Sequence, residues 1–196
     1  DVVEDILRIY GYNNVDITTT LHSSIITKGA EDKSHKLQNI ISEQLVGCGF
    51  NEILNNSLTA SAYYDELESF KSENLVRLMN PLSNDLNVLR QTILFGGLES
   101  LQRNINRKFT DLSFFEFGNT YRFDADKRVE DKILSPYSES YHLGLWMTGN
   151  NVAASWIEQG RQLSVYDLKA VVEHIFDRLG FKPGMRLVST FSDDIF

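Results

Sequence analysis

The chain has 196 residues, 42% of them apolar and 23% charged, with a formal net charge of −8. That length carries one substantial domain and a short appendage; an acidic surface repels phosphate backbones, so affinity for nucleic acid would need a local basic patch; and no apolar run approaches the roughly 20 residues of a membrane-spanning helix. Cys48 is the only cysteine, which excludes an internal disulfide and a multi-cysteine zinc site and fits a reducing compartment, the cytoplasm.

The chain opens at Asp1 directly in a helical pattern. There is no initiator Met and no basic or apolar leader, so it reads as a piece of a longer polypeptide. Val2, Val3, Ile6, Leu7, Ile9 and Tyr10 form a helical stripe, with acids Asp1, Glu4 and Asp5 in the first turn and Gly11 past the end, the polarity that the helix dipole favours. Residues 13 to 30 are rich in Thr, Ser and Asn without a period and read as a linker. The domain boundary is placed there: 1–29 as a helix ending a preceding domain plus linker, 30–196 as the main domain.

From Glu31, Leu37, Ile40, Ile41, Leu45 and Cys48 recur at three and four positions, which predicts a helix of about four turns ended by Gly47 and Gly49. Phe50 to Leu58 follows as a strand, Ser61 to Phe70 as a short helix or turn, and Val76 to Met79 as a short strand closed by Asn80-Pro81. Leu86, Leu89, Ile93, Leu94, Leu98, Leu101 and Ile105 share a face of a helix from Asn84 to Ile105. Gly96-Gly97 interrupts it; glycine inside a helix costs about 1 kcal/mol per residue against Ala, so the pair signals a kink or close approach of another backbone.

Leu112 to Phe123 is aromatic and β-prone, Asp124 to Ser140 reads as a loop, and Tyr141 to Thr148 alternates, so the two flanking runs form an antiparallel pair. A closing helix from about Val165 to Leu179 buries Leu168, Val171, Val172, Ile175, Phe176 and Leu179 and stops at Gly180, and Arg186 to Phe191 reads as a last strand. Helices and strands mix without a βαβ rhythm, which predicts an α+β fold with a mainly antiparallel sheet.

The residues that could carry chemistry are few. No phosphate-binding glycine loop is present. His22, His35, His142 and His174 are scattered without metal-ligand spacing, and Cys48 reads as a buried structural thiol. Asp1, Glu4 and Asp5 lie at i, i+3 and i+4, one helix face; an exposed acidic first turn and an oxygen-ligated Mg²⁺ or Ca²⁺ site are both open. Arg90, Arg103, Arg107 and Lys108 make the one clear basic region along the Leu89 to Ile105 helix and its exit. A solvated face, phosphate contact and pairing with partner carboxylates are all open to it.

The string from Asp1 to Tyr12 resembles the end of the accessory domain of bacterial phenylalanyl-tRNA synthetase β chains. The resemblance continues in order through Gly49-Phe50-Asn51-Glu52-Ile53, Asn80-Pro81-Leu82-Ser83-Asn84-Asp85, Leu89-Arg90, Gly97-Leu98, Asn104, Phe115-Glu116-Phe117-Gly118 and Tyr166-Asp167-Leu168-Lys169. It implies a class II synthetase-like antiparallel sheet flanked by helices, truncated at its C-terminal end, in which the 31–49 helix and following strand form the dimer-forming first signature. It further implies a core without catalytic residues, beside an α subunit that uses ATP to activate phenylalanine, in an (αβ)₂ heterotetramer that binds tRNA(Phe). If Glu116 matches the acid of the second signature, Phe114 stands where that signature has an ATP-positioning Arg, and an aromatic cannot clamp a phosphate. The family's Mg²⁺-binding acids fall on Asp1, Glu4 and Asp5; Asp5 replaces the usual Glu and a further upstream acid is absent, which implies weak or no Mg²⁺ binding by this piece alone.

Three readings follow: a scaffold packed against a catalytic partner, a remnant ATP- or small-molecule-binding domain, and a stand-alone RNA-binding module using Arg90, Arg103, Arg107 and Lys108.

Overall fold

The computed structural model describes residues 2–16, 20, 29–152 and 155–181. The chain divides into two compact units, Asp1–Gln38 and Asn39–Phe196. In the first, α1 spans Val2–Tyr10 and is followed by a 3-10 turn at Tyr12–Asn14. No residue of α1 is buried; its apolar stripe is present as the sequence predicts but faces solvent, with Ile9 91% exposed.

The second unit begins within α2 (Ala30–Gly47). That helix ends as predicted, with Gly49 at φ +87, a conformation that glycine adopts without a Cβ clash. Eight strands follow in chain order among the described residues: β1 (Asn51–Glu52), β2 (Leu58–Thr59), β3 (Val76–Arg77), β4 (Val88–Leu89), β5 (Leu112–Phe123), β6 (Tyr137–Thr148), β7 (Asn150–Val152) and β8 (Arg161–Gln162). Helix α3 (Leu94–Ile105) lies between β4 and β5, and α4 (Val165–Arg178) follows β8.

The main sheet has the order β1-β5-β6, and a second small sheet the order β2-β4-β3. β5 and β6 form the antiparallel pair read from the sequence, in unbroken register from Leu112↔Thr148 to Phe123↔Tyr137. β1 joins β5 in parallel. The expected loop at 124–140 is therefore shorter, because Tyr137 to Ser140 continue the ladder opposite Thr120 to Phe123.

Two further expectations are corrected. The single strand over 50–58 is two short strands, since Asn51 and Glu52 pair with β5 while Leu58 and Thr59 pair with β4. The helix expected from Asn84 starts only at Leu94; Asn84–Leu86 is a 3-10 turn and Val88–Leu89 is the centre of the small sheet, paired on both sides. Tertiary pairing overrides the helical spacing of Leu86, Leu89 and Ile93, because Val88, which lies off that apolar face, is the residue fully buried here. The final strand expected at 186–191, and His22, lie outside the described residues.

Both faces of the β5–β6 pair are covered over the half where Leu112 to Phe117 face Leu143 to Thr148, which makes this part of the sheet the floor of the unit. On one face Phe115 packs with Ile41 and Leu45 of α2 and Ile175 of α4. On the other, Phe114 and Trp146 pack with Ile93 and Leu101 of the α3 segment. Burying each such aliphatic side chain contributes about 1.5–3 kcal/mol. A third cluster of Tyr64, Leu75 and Val88, with Phe95 against it, ties the small sheet to α3.

Candidate functional site

A cavity of about 460 Å³ opens beside the N-terminal half of α3, walled by Asn55, Tyr63, Asp85, Arg90, Glu99 and Arg103 among others. Its innermost charge is neutralised within the protein. Arg90 is 4% exposed and Glu116 fully buried, and the Arg90 Nη1 donates to Glu116 Oε1 at 2.7 Å. The other carboxylate oxygen accepts from Asn55 Nδ2 at 2.6 Å, and Asn55 Oδ1 accepts from Ser100 Oγ at 2.7 Å. The Arg90 Nε donates to the carbonyl of Asn119 at 3.0 Å.

These bonds follow from the backbone. Arg90 directly succeeds β4, where its N–H donates to Ser57 O at 2.9 Å and its carbonyl accepts from Tyr121 N at 2.9 Å. This fastens the small sheet to β5 and drives the guanidinium over Gly118, where a Cβ would lie 2.2 Å from Arg90 Nη2. Glu116 and Gly118 occupy the same sheet face, two residues apart. A guanidinium whose Nη1 is held by a buried carboxylate and whose Nε is held by a carbonyl has fewer donors left with which to grip a phosphate.

Phe114 is 7% exposed. It sits opposite Trp146 and packs in the same cluster. The indole occupies the space over the sheet so closely that a Cβ on Gly97 would stand 2.0 Å from Trp146 Cε2. The glycine pair of α3 thus permits close approach of side chains, Trp146 at Gly97 and Asn55 at Gly96, where the sequence predicts a kink or a second backbone. At the cavity mouth Tyr63 stacks on Phe95 with centroids 5.0 Å apart and donates to Glu99 Oε1 at 2.7 Å. The hydrogen bond to the Glu99 carboxylate pushes the Tyr63 phenol up to about 12, burial adding to it.

The structure separates the four basic residues that the sequence groups. Arg90 is a buried ion-pair partner that precedes α3, which corrects its placement on an exposed helix face. Arg103, Arg107 and Lys108 are exposed, and none enters an ion pair among the described residues. Cys48 is exposed, not the buried thiol expected, because Gly47 and Gly49 lift it off the packed face of α2. His35, His142 and His174 are exposed and far apart in sequence.

On α1, Glu4 pairs with Arg8 at 2.9 Å and Asp5 faces the same guanidinium at 3.9 Å; Asp1 lies outside the described residues. Mg²⁺ demands near-octahedral oxygen ligation. Glu4 and Asp5, which share one guanidinium, could supply only part of that shell, and among the described residues no group of three or more His, Cys, Asp or Glu could hold a metal.

A second polar node sits at the start of α4. Asp167 accepts from Ser164 N at 2.8 Å, from Arg161 Nη2 at 2.9 Å and from Asn151 Nδ2 at 2.7 Å, joining β7, β8 and the helix N-terminus. The Arg161 guanidinium, then the Ser164 donors, hold this carboxyl well below the usual carboxylate range. A folded-state value lower than the unfolded one stabilises the fold above about pH 4 and is lost as acid protonates the group. Asp167→Asn is therefore expected to unfold at lower urea concentration than the parent at pH 7, with the gap narrowing below about pH 4; a gap independent of pH would contradict this.

Sequence reasoning names Glu116 and Arg90 but misses Asn55, Ser100, Tyr63 and Glu99. Ser100 and Glu99 lie on α3 at spacings visible in the sequence, whereas Asn55 and Tyr63 reach the site only because the chain between β1 and β3 folds over α3.

A family model described as the phenylalanyl tRNA synthetase beta chain CLM domain matches residues 17–194. The chain is 65% identical over 196 residues to the phenylalanine–tRNA ligase beta subunit of Bacteroides fragilis, covering 100% of this chain and 24% of that protein. It is 48% identical to the same-named subunit of Porphyromonas gingivalis, with the same coverage. The chain thus spans about a quarter of the curated relatives it matches. Its fold resembles a solved ATP phosphoribosyltransferase regulatory subunit/histidyl-tRNA synthetase from Bacillus halodurans C, with TM-score 0.53 and 14% identity, covering 82% of this chain and 40% of that one. The α+β arrangement is class II aminoacyl-tRNA synthetase-like.

Proposed function

This chain belongs to the phenylalanyl-tRNA synthetase β-chain family, and we propose that it forms the non-catalytic core of a phenylalanine–tRNA ligase β subunit, supporting aminoacylation by packing against a catalytic α subunit and helping to place tRNA(Phe). The observation that carries this reading is the buried Arg90–Glu116 pair. The deepest cation of the cavity is paired inside the protein, and Phe114 and Trp146 fill the adjoining sheet face, which supports a cavity that does not serve adenylate chemistry.

Under this reading ATP is used by the α subunit, residues 1–29 end a preceding domain and link it to the core at 30–196, and the assembly is a cytoplasmic (αβ)₂ heterotetramer. No described helix is long and apolar enough to cross a membrane. Any Mg²⁺ near α1 would take carboxylates beyond Glu4 and Asp5. Large side chains left in water also support a packing role: Leu54, Met79 and Leu82 are 90%, 91% and 99% exposed, and apolar residues so placed are suited to a protein partner.

The test is co-purification of the tagged β subunit containing this chain with its α subunit. Stoichiometric recovery is expected from the parent, and loss of it from a variant carrying Met79→Asp and Leu82→Asp whose circular dichroism is unchanged. Full recovery from that variant would remove the 79–82 segment from the interface. No recovery with the parent would overturn the reading itself.

A further inference from the structure

Helix α3 ends in a group of exposed cations, of which Arg103 alone also borders the cavity. Arg103, Arg107, Lys108 and Phe109 follow one another around its C-terminal turn, all exposed, Phe109 at 62%. The chain as a whole carries a net charge of −8, yet the acids nearest in sequence are turned elsewhere. Glu99, one helical turn before Arg103, accepts from Tyr63, and Asp111 accepts from the backbone and side chain of Asn150. The three cations are left without a carboxylate among the described residues.

Backbone geometry adds a second, independent sign. Lys108 is the one non-glycine at positive φ among the described residues, at φ 73. It sits where a helix most often ends in glycine, because a side chain in the left-handed region meets its own backbone. The helix dipole rewards a cation in the last turn, which suffices for Arg103. It does not explain a lysine held past the end at a conformation that costs more than glycine, nor an aromatic beside it left in water.

Resting on the family reading above, we infer that Arg103, Arg107, Lys108 and Phe109 form an RNA-binding surface that contacts phosphates of the tRNA, with the Phe109 ring positioned to stack on an unpaired base. The chemistry fits. Unpaired guanidinium and ammonium groups exchange counterions for phosphates, giving salt-dependent affinity, and an exposed ring beside them offers a platform that accepts any base. Arg90, buried and paired, takes no part.

The experiment uses the complete enzyme, β with α, and the transcript of tRNA(Phe). Arg107→Glu with Lys108→Glu is expected to raise the KM for tRNA about tenfold and flatten the salt dependence by about two units of slope, leaving phenylalanine-dependent ATP–pyrophosphate exchange, which needs no tRNA, unchanged. Lys108→Gly separates binding from folding: an equal or higher Tm, as the strain is relieved, with a several-fold weaker tRNA affinity. Unaltered tRNA KM and salt slope in both variants, with the parent binding normally, would overturn this surface alone. Release of the α subunit from the double variant on size exclusion would assign the cations to a protein contact and overturn it too. Failure of the parent assembly to bind tRNA at all would sink the family reading and this surface together.

Discussion

Replacing Arg90 by methionine is expected to lower the folding stability of the chain by about 3–5 kcal/mol, because it strands a buried carboxylate without its cation. Glu116 is fully buried, and its remaining partner, Asn55, offers an amide and no charge. Methionine restores bulk but donates nothing to Glu116 or to the Asn119 carbonyl. Lysine should rescue only part of the loss, since one ammonium cannot reproduce the planar fork that reaches both acceptors. The contrast is Arg8→Met, which breaks an ion pair of similar length whose partners are 64% and 55% exposed; it should change stability by at most about 1 kcal/mol. Urea unfolding of the variants checks both. A loss below about 1 kcal/mol for Arg90→Met would show that water reaches the pair.

Trp146→Ala is the second large effect, expected at about 3–5 kcal/mol for removing a buried aromatic and leaving a cavity. The indole bridges β6 and α3, and the glycines that admit it report its position. A Cβ on Gly97 would meet it at 2.0 Å, and one on Gly144 at 2.3 Å. Gly97→Ala alone should therefore cost at least about 1–3 kcal/mol by overpacking, despite the helix propensity that alanine adds. In the Trp146→Ala background the same substitution should be neutral or stabilising, because the obstacle is gone. A double-mutant cycle measures this coupling; strict additivity would mean that the glycine is not there for the indole.

What the sequence displays is what short-range periodicity and end signals encode. The β5–β6 hairpin is legible because Leu112 to Phe123 is aromatic and β-prone and Tyr141 to Thr148 alternates, and α4 because its apolar spacing ends at Gly180; the exposed start of β6, Tyr137 to Ser140, carries no such signal. Neither signal could place Val88 and Leu89. That pair lies in a run spaced like a helix, and only its two strand neighbours, Leu58 with Thr59 and Val76 with Arg77, make it β. Arg90 shows the same limit at the site. Its neighbours in sequence suggest a basic helix face, whereas its partner is 26 residues away, and nothing local to either residue announces the pair. The resemblance carried by Asn80-Pro81-Leu82 and Phe115-Glu116-Phe117-Gly118 points to the family where physics alone reaches no further than α+β. Lys108 at positive φ was invisible, since the conformation is unusual for that residue.

The most direct measurement is equilibrium binding of ATP to this chain by calorimetry, with and without Mg²⁺. A cavity whose deepest guanidinium is already held by Glu116 should show no saturable uptake at about 1 mM ATP, an affinity no stronger than about −4 kcal/mol. Stoichiometric binding that disappears in Arg90→Met or Arg103→Ala would contradict it, and would make this cavity a nucleotide site.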